Sequence, residues 1–338
     1  MDRFSRRQFL SSSSIAVAAL GAGVAVPSVG WAEEKKGMRT LGRTGLEVTQ
    51  ISFGGLDIGT SALLQGAIDN GINLIHVGTG YVNGKAIRMY GEVMKERRKD
   101  VVLALKEDPI NGIDEALKLL NTDHVDILMP GLHSVEEISN PELPGAFEKL
   151  KKEGKIRFTG FAVHKNIPEV LEKAIELGFY DVMMPSYHTG NRDQVDPLLA
   201  KAKKEHNMGF MAMKPLRGVK KEGKNSTPEE VKAIYADLLK NPQVDSLVIG
   251  MGSFNDLNTN IEACFQKYSQ AMPESVKEMI RYAEAHECAS CGTCSKVCPY
   301  GVAACDIMGM EYYVERGDPA LAAAAYRKLS AAQQADSC

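Results

Sequence analysis

The sequence predicts an α/β fold, a (β/α)8 TIM barrel followed by a small helical domain at the C-terminus. Three observations carry that expectation. From Arg39 onward, short β-branched or apolar runs alternate with amphipathic helical stretches. Eight such runs can be counted, which suits a closed parallel barrel better than an open sheet. Beyond the eighth, the pattern changes to helices that lead into a group of cysteines.

Taken in order, Met38–Val48 reads as a small hairpin with Gly45 near its turn, placed to close the barrel bottom. The candidate strands are Gln50–Gly54, Asn73–Val77, Val101–Lys106, Val125–Met129, Ile156–Val163, Tyr180–Pro185, Gly209–Lys214 and Ser246–Gly250. Between them, stretches such as Pro168–Leu177 and Pro228–Leu239 repeat apolar residues at three and four and crowd acidic residues at their start, as helices do. A helix from about Asn255 to Phe265 and another from Ser275 to His286 follow. The barrel domain is placed at 33–270 and the helical tail at 271–338. Met183, Met184, Met211 and Met213 mix inward and outward faces of two neighbouring strands and read as core filling.

Residues 1–32 have their own composition: Arg3, Arg6 and Arg7, then an apolar Ser- and Gly-rich stretch from Ser11 to Gly30, the layout of an export signal. Its apolar part, Ile15–Val26, is shorter than the roughly 20 residues that cross a bilayer, so no stable membrane span is expected in the mature form. Ser5-Arg6-Arg7-Gln8-Phe9-Leu10 resembles a twin-arginine (Tat) signal, and Gly30 and Ala32 fit cleavage after Ala32. A periplasmic location follows. Cleavage would remove three Arg and one Asp, moving the formal charge from −3 to −5. With basic residues scattered rather than clustered, nucleic acid is excluded as a partner. A composition of 44% hydrophobic and 25% charged residues can bury a full core and excludes disorder.

Barrels of this kind place chemistry at the C-terminal ends of their strands. Here those ends carry His76 to Tyr81, Lys106, His133, His164, Tyr187 and Lys214. Several segments in order resemble the aldo/keto reductase family: Arg39-Thr-Leu-Gly-Arg-Thr-Gly-Leu-Glu-Val-Thr49, Gly71-Ile-Asn-Leu-Ile-His-Val-Gly-Thr-Gly-Tyr81, Val101-Val-Leu-Ala-Leu-Lys106, Val125-Asp-Ile-Leu-Met-Pro-Gly-Leu-His133, Gly209-Phe-Met-Ala-Met-Lys-Pro215 and Val248-Ile-Gly-Met-Gly-Ser253. The resemblance implies hydride transfer from a nicotinamide, NADP(H) or NAD(H), to a carbonyl, with Tyr81 as proton donor. It also implies a Lys106 ammonium that lowers the Tyr81 pKa and a His133 that orients the substrate oxygen.

The departures from the family matter more than the matches. His76 stands where the family has the aspartate that pairs with the lysine, so proton transfer is altered or lost, or His76 itself serves as acid or base. Met184 stands where a glutamine often holds the nicotinamide carboxamide, with Tyr187 left to stack on the ring. After the last strand, Ser253 opens a helix N-terminus suited to a phosphate, and Asn260 matches an adenosine-contacting position. Asp256, however, stands where NADP-binding members often place arginine, which argues against a 2′-phosphate. A periplasmic enzyme would also have to carry its nicotinamide out already bound. Electrons arriving through an iron–sulfur cluster would remove that need.

Cys288-Ala-Ser-Cys291-Gly-Thr-Cys294-Ser-Lys-Val-Cys298-Pro299 reproduces the bacterial ferredoxin spacing, which predicts a [4Fe–4S] cluster on Cys288, Cys291, Cys294 and Cys298. Structural zinc usually draws two separated CxxC or CxxH pairs, a pattern not seen around this run. In two-cluster ferredoxins the fourth cysteine of a run serves the other cluster. Met308–Leu329 resembles the helical linker between two such runs in ferredoxin-tailed aldo/keto reductase homologues, with Cys338 where a second run would begin. The fourth ligand is therefore Cys298 or Cys338, or a second run has been lost. Cys264 and Cys305 read as buried small apolar residues.

Three functions compete. The first is an exported oxidoreductase acting on a small carbonyl or alcohol, with Tyr81, Lys106, His133 and His76 as its site and electrons moving through the tail. The second is a barrel that has lost hydride chemistry and serves as a scaffold docking an electron-transfer partner protein. The third is an ordinary nicotinamide-dependent carbonyl reductase whose cluster is structural.

Overall fold

The computed structural model describes residues 37–219, 226–265, 272–315 and 319–337. The leader at 1–32, the boundary near Gln270 and Cys338 lie outside the described residues. Strands β1 (Met38–Thr40) and β2 (Glu47–Thr49) form the expected antiparallel hairpin, pairing Met38 with Thr49, and Gly45 takes the left-handed conformation (φ 67°) at its turn. The eight parallel strands are β3 (Ile51–Gly54), β4 (Leu74–Gly78), β5 (Val102–Lys106), β6 (Val125–Leu128), β7 (Ile156–Val163), β8 (Val182–Pro185), β9 (Gly209–Met213) and β10 (Ser246–Gly250). They close in sequence order, with β10 pairing both β3 and β9.

Because side chains alternate along a strand, each run contributes to two cores. Leu74, Val102, Ala104, Ile127, Met129, Ala162, Val182 and Val248 fill the barrel interior, and Leu41 and Val48 of the hairpin plug it from below. Ile75, Val77, Leu103, Leu105, Phe161, Phe210 and Leu247 face outward under the helices. Arg43 pins the plug: it donates to the carbonyls of Gly178, Phe179 and Tyr180 at 2.9–3.1 Å and pairs with Asp181 at 2.9 Å. The methionines divide as their spacing implies, Met184, Met211 and Met213 inward and Met183 outward.

The tail begins with the helix Glu274–His286, which buries Val276, Met279, Ile280 and Ala283. The cysteine loop follows, then a short helix Thr293–Val297 and the helices Ala304–Glu315 and Pro319–Tyr326. Among the described residues no helix is long and apolar enough to cross a membrane.

Candidate active site

The interior rows end in polar residues at the top of the barrel. Above Leu74 stands His76, above Ala104 stands Lys106, and above Ala162 stands His164. These side chains, with Tyr81, Met184, Met213 and Lys214, wall a cavity of about 140 Å³. Five of the residues expected from the sequence are thereby brought together: His76, Tyr81, Lys106, His164 and Lys214.

Tyr81 reaches the cavity because Gly78 makes room for its ring; a Cβ at 78 would lie 2.9 Å from it. The ring meets His76 edge-on at 5.9 Å. Beyond it, Val82, Asn83 and Gly84 are all left-handed, a costly conformation for a β-branched residue such as Val82 (φ 51°). The expected lowering of the Tyr81 pKa is not found. Burial, and after it Tyr313, Asp108 and Asp57, raise it well above the ordinary phenol value, so the hydroxyl stays protonated.

Lys106 explains part of that correction. Its Nζ lies 3.3 Å from Asp108 Oδ2, so the carboxylate lost at position 76 is supplied two residues along the lysine's own strand end. The sequence reading missed Asp108, although its step of two past Lys106 was the available signal. His76 is buried, and that burial, with Lys106 as a second cause, lowers its pKa to about 3. It is a neutral imidazole, not the imidazolium that would repel Lys106. Its Nε2 and Nδ1 of His164 have no hydrogen-bond partner among the described residues.

His133 is not on the cavity wall, contrary to the expected role in orienting substrate. It stands behind Gly131, where a Cβ would lie 3.0 Å from Lys106 Cε and 3.2 Å from His133 Nε2. Its Nδ1 accepts the His164 backbone N–H at 3.3 Å, and the two rings lie 5.3 Å apart. Burial lowers its pKa to about 4. His164 and His76 are thus the imidazoles that face the cavity.

The dinucleotide contacts also change. Tyr187 points outward, its ring edge-on to Phe210 at 5.4 Å and its hydroxyl donating to Asp196 at 2.7 Å, so it cannot stack on a ring in the cavity. Strand alternation explains this, since Met184, three residues earlier, faces inward and an odd step reverses the face. At the helix Phe254–Phe265, Asp256 Oδ2 accepts the N–H groups of Gly252 (3.2 Å) and Ser253 (3.0 Å) and the Ser253 hydroxyl (2.8 Å). The donors expected for a phosphate are occupied by the protein's own carboxylate. Asn260 lies with Leu257 and Cys264 on the buried face of that helix, outside the cavity wall. The helix N-terminus is closed to a phosphate while Asp256 holds these donors.

Two wall residues were not foreseen. Asp57 sits so close to Gly250 that a Cβ there would fall 1.9 Å from its carboxylate. Tyr313 comes from the tail: Lys214 Nζ lies 5.3 Å from its ring centre, so a tail helix closes one side of the barrel cavity. No local sequence signal links these two positions.

The tail docks on the same end. Buried Arg217 pairs with Glu287 at 2.6 Å and donates to Ser290 Oγ at 2.9 Å. Lys165 pairs with Asp306 at 2.6 Å, and Lys296 pairs with Glu169. In the cysteine loop, Ser290 (φ 56°) and Gly292 (φ 81°) are left-handed, and a Cβ at 292 would strike Asn166 Oδ1 at 1.7 Å. Among the described residues no three His, Cys, Asp or Glu side chains gather tightly enough for a single metal ion. Cys288, Cys291, Cys294 and Cys298 lie along this loop as free thiols. Cys264 and Cys305 are both buried, as expected.

The aldo/keto reductase family profile matches residues 59–234. The chain is 26% identical over 292 residues to L-galactose dehydrogenase of Arabidopsis thaliana, covering 70% of this chain and 91% of that protein. It is 27% identical over 203 residues to the oxidoreductase YqkF of Bacillus subtilis, covering 53% of this chain and 64% of YqkF. Among solved structures, the apo form of an aldo-keto reductase from Bacillus halodurans superposes with a TM-score of 0.59 at 22% identity, covering 75% of this chain and 99% of that one. An aldo-keto reductase from Klebsiella pneumoniae in complex with NADPH superposes at 0.58 with 19% identity, covering 75% and 97%.

Proposed function

The chain belongs to the aldo/keto reductase family and is an oxidoreductase of that kind, and from this premise we propose an exported reductase of a small carbonyl compound with a [4Fe–4S] cluster on its tail. One observation carries the catalytic part: Tyr81, His76, His164 and Lys106, the last paired with Asp108, line a single cavity at the barrel top. At about 140 Å³ it is smaller than the roughly 300–1,000 Å³ of common ligand pockets, which suits a small substrate.

A nicotinamide, when bound, supplies a hydride to the carbonyl carbon. The chain's own residues handle the oxygen. The protonated Tyr81 hydroxyl donates a hydrogen bond to the carbonyl oxygen and gives up its proton as negative charge builds there. Lys106, held by Asp108, places an ammonium behind that oxygen, and the neutral imidazoles of His76 and His164 offer nitrogens to neighbouring polar groups of the substrate. Burial keeps the Tyr81 phenol protonated and also makes it a weaker acid, so the Lys106 ammonium is needed to stabilise the phenolate as the proton leaves.

The scaffold reading is favoured by one observation, the Asp256 carboxylate on the phosphate donors. Tyr81→Phe separates the two. On the enzyme reading it slows turnover of small aldehydes about 100- to 10,000-fold while iron and acid-labile sulfide content stay unchanged. A parent chain that turns over no small aldehyde would leave the barrel as a scaffold, and a variant as active as the parent would remove Tyr81 from the chemistry. Export rests on the Arg6-Arg7 pair and the small residues ending at Ala32. An Arg6→Lys, Arg7→Lys double substitution is expected to hold the precursor in the cytoplasm, and unchanged processing would refute the twin-arginine route.

A further inference from the structure

Resting on the carbonyl-reductase reading above, we propose that the tail, through Tyr313, sets the size of the carbonyl compound that the barrel accepts. Among the described residues, Tyr313 is the one member of the cavity wall that the barrel does not supply. All the others stand on barrel strands or in the loops that follow them.

The barrel side of the wall cannot give way. Its side chains rise from strands held by parallel ladders, and the backbone between them is tightly packed. A Cβ at Gly55 would lie 3.0 Å from Tyr90 Oη and 3.1 Å from the His76 carbonyl oxygen, and one at Gly54 would lie 3.1 Å from the Ile249 carbonyl. The tail side is a single half-buried ring on a helix. A substrate too large for the cavity of about 140 Å³ must therefore displace Tyr313 or break a ladder, and the ring is the weaker barrier.

Two features hold the ring in place. Lys214 Nζ lies 5.3 Å from its centre, within the range of cation–π attraction. Lys214 itself sits just past β9 with φ 58°, a left-handed conformation rarely used by a residue with a side chain and often found at functional positions. The second feature is at the start of the helix Ala304–Glu315, where Asp306 pairs with Lys165 of the barrel at 2.6 Å, next to the cavity residue His164. Asp306 and Tyr313 are seven residues apart, about two helical turns, so both lie on one face of this helix. Ile307, Glu311 and Val314 line a groove shared with the helix Pro319–Tyr326 instead. One helix face thus carries both the docking carboxylate and the ring that closes the cavity.

The experiment uses the full chain with NADPH or NADH as hydride donor and reads kcat and KM for propionaldehyde and 2-naphthaldehyde. For Tyr313→Ala we expect kcat/KM for 2-naphthaldehyde to rise about tenfold or more relative to that for propionaldehyde, chiefly through a lower KM. Tyr313→Phe keeps the ring and is expected to keep the parent's ratio. A merely structural loss would slow both aldehydes alike and leave the ratio where it was. An unchanged ratio in Tyr313→Ala overturns the assignment, as does an equal shift in Tyr313→Phe, which would place the effect in the hydroxyl. A parent and variants that reduce neither aldehyde refute the reductase reading and the size selection with it, a result distinguishable from an active chain whose ratio does not move.

Discussion

The barrel cavity and the cysteine loop hold their reactive groups in opposite ways. His76, Lys106 and His164 stand at the ends of strands whose backbone ladders and interior packing fix them whether or not anything is bound. The cysteines sit on an irregular loop with left-handed residues at 290 and 292, held to the barrel by a few polar side chains. The cavity is thus preorganised by the fold, and the loop depends on its docking contacts and on what it binds.

The largest expected effect breaks the docking. Arg217 is 3% exposed, so Arg217→Met leaves Glu287 and Ser290 without their buried partner. Losing one member of a buried pair costs about 3–5 kcal/mol. Hydrogen exchange should show faster opening of residues 274–315 with the barrel strands unchanged. Equal loss of protection in both regions would show that cavity and tail are one cooperative unit, and the contrast would fail.

Acid should act in the other direction, on the barrel end. His76 and His133 have folded-state pKa values near 3 and 4, below the usual 6.5 of an unfolded histidine. The unfolded chain therefore takes up protons first. The stability these two groups contribute is complete above pH 6.5 and declines as the pH falls toward 4 and then 3. Each costs about 1.4 kcal/mol per pH unit in that window. Urea unfolding at pH 7.5 and 5.5 measures it; a His76→Asn variant should lose part of the difference, and identical pH dependence in that variant would sink the argument.

The same contrast explains what could be read in advance. All eight strands and the strand-end positions of His76, Lys106 and His164 were legible because short apolar runs alternating with helical stretches are written into the residues themselves. Tyr187 was expected to stack on a bound ring, but just past the end of β8 it falls on the face turned away from the cavity, against Phe210. Asp108 was missed because its value depends on the neighbour it meets, not on a pattern. Tyr313 was illegible for a stronger reason: it acts through a contact between the tail and Lys214 of the barrel, which no local period encodes.

A smaller effect tests whether Asp108 replaces the carboxylate absent at position 76. Asp108→Asn keeps the side chain's size and removes the charge facing Lys106. We expect kcat to fall about tenfold with KM little changed, corresponding to about 1.4 kcal/mol of lost orientation. Unchanged kcat would leave the Lys106–Asp108 pair a surface feature of the cavity mouth.

The smallest expected effect concerns the one preformed feature that works against the family's cofactor. Asp256 caps its helix by accepting two backbone N–H groups and the Ser253 hydroxyl, and it places a negative charge where a phosphate would bind. Asp256→Ala releases those donors and removes the charge, at a cost of about 1 kcal/mol in helix capping. Asp256→Asn keeps an acceptor on the same donors and removes only the charge. If repulsion is the barrier, both variants should bind NADPH several-fold more tightly than the parent by calorimetric titration, with the gain shrinking as salt rises. If occupancy of the donors is the barrier, only the alanine variant gains. No gain in either would show that this helix N-terminus, unlike the cavity above β4 and β5, is a structural cap and holds no part of a dinucleotide.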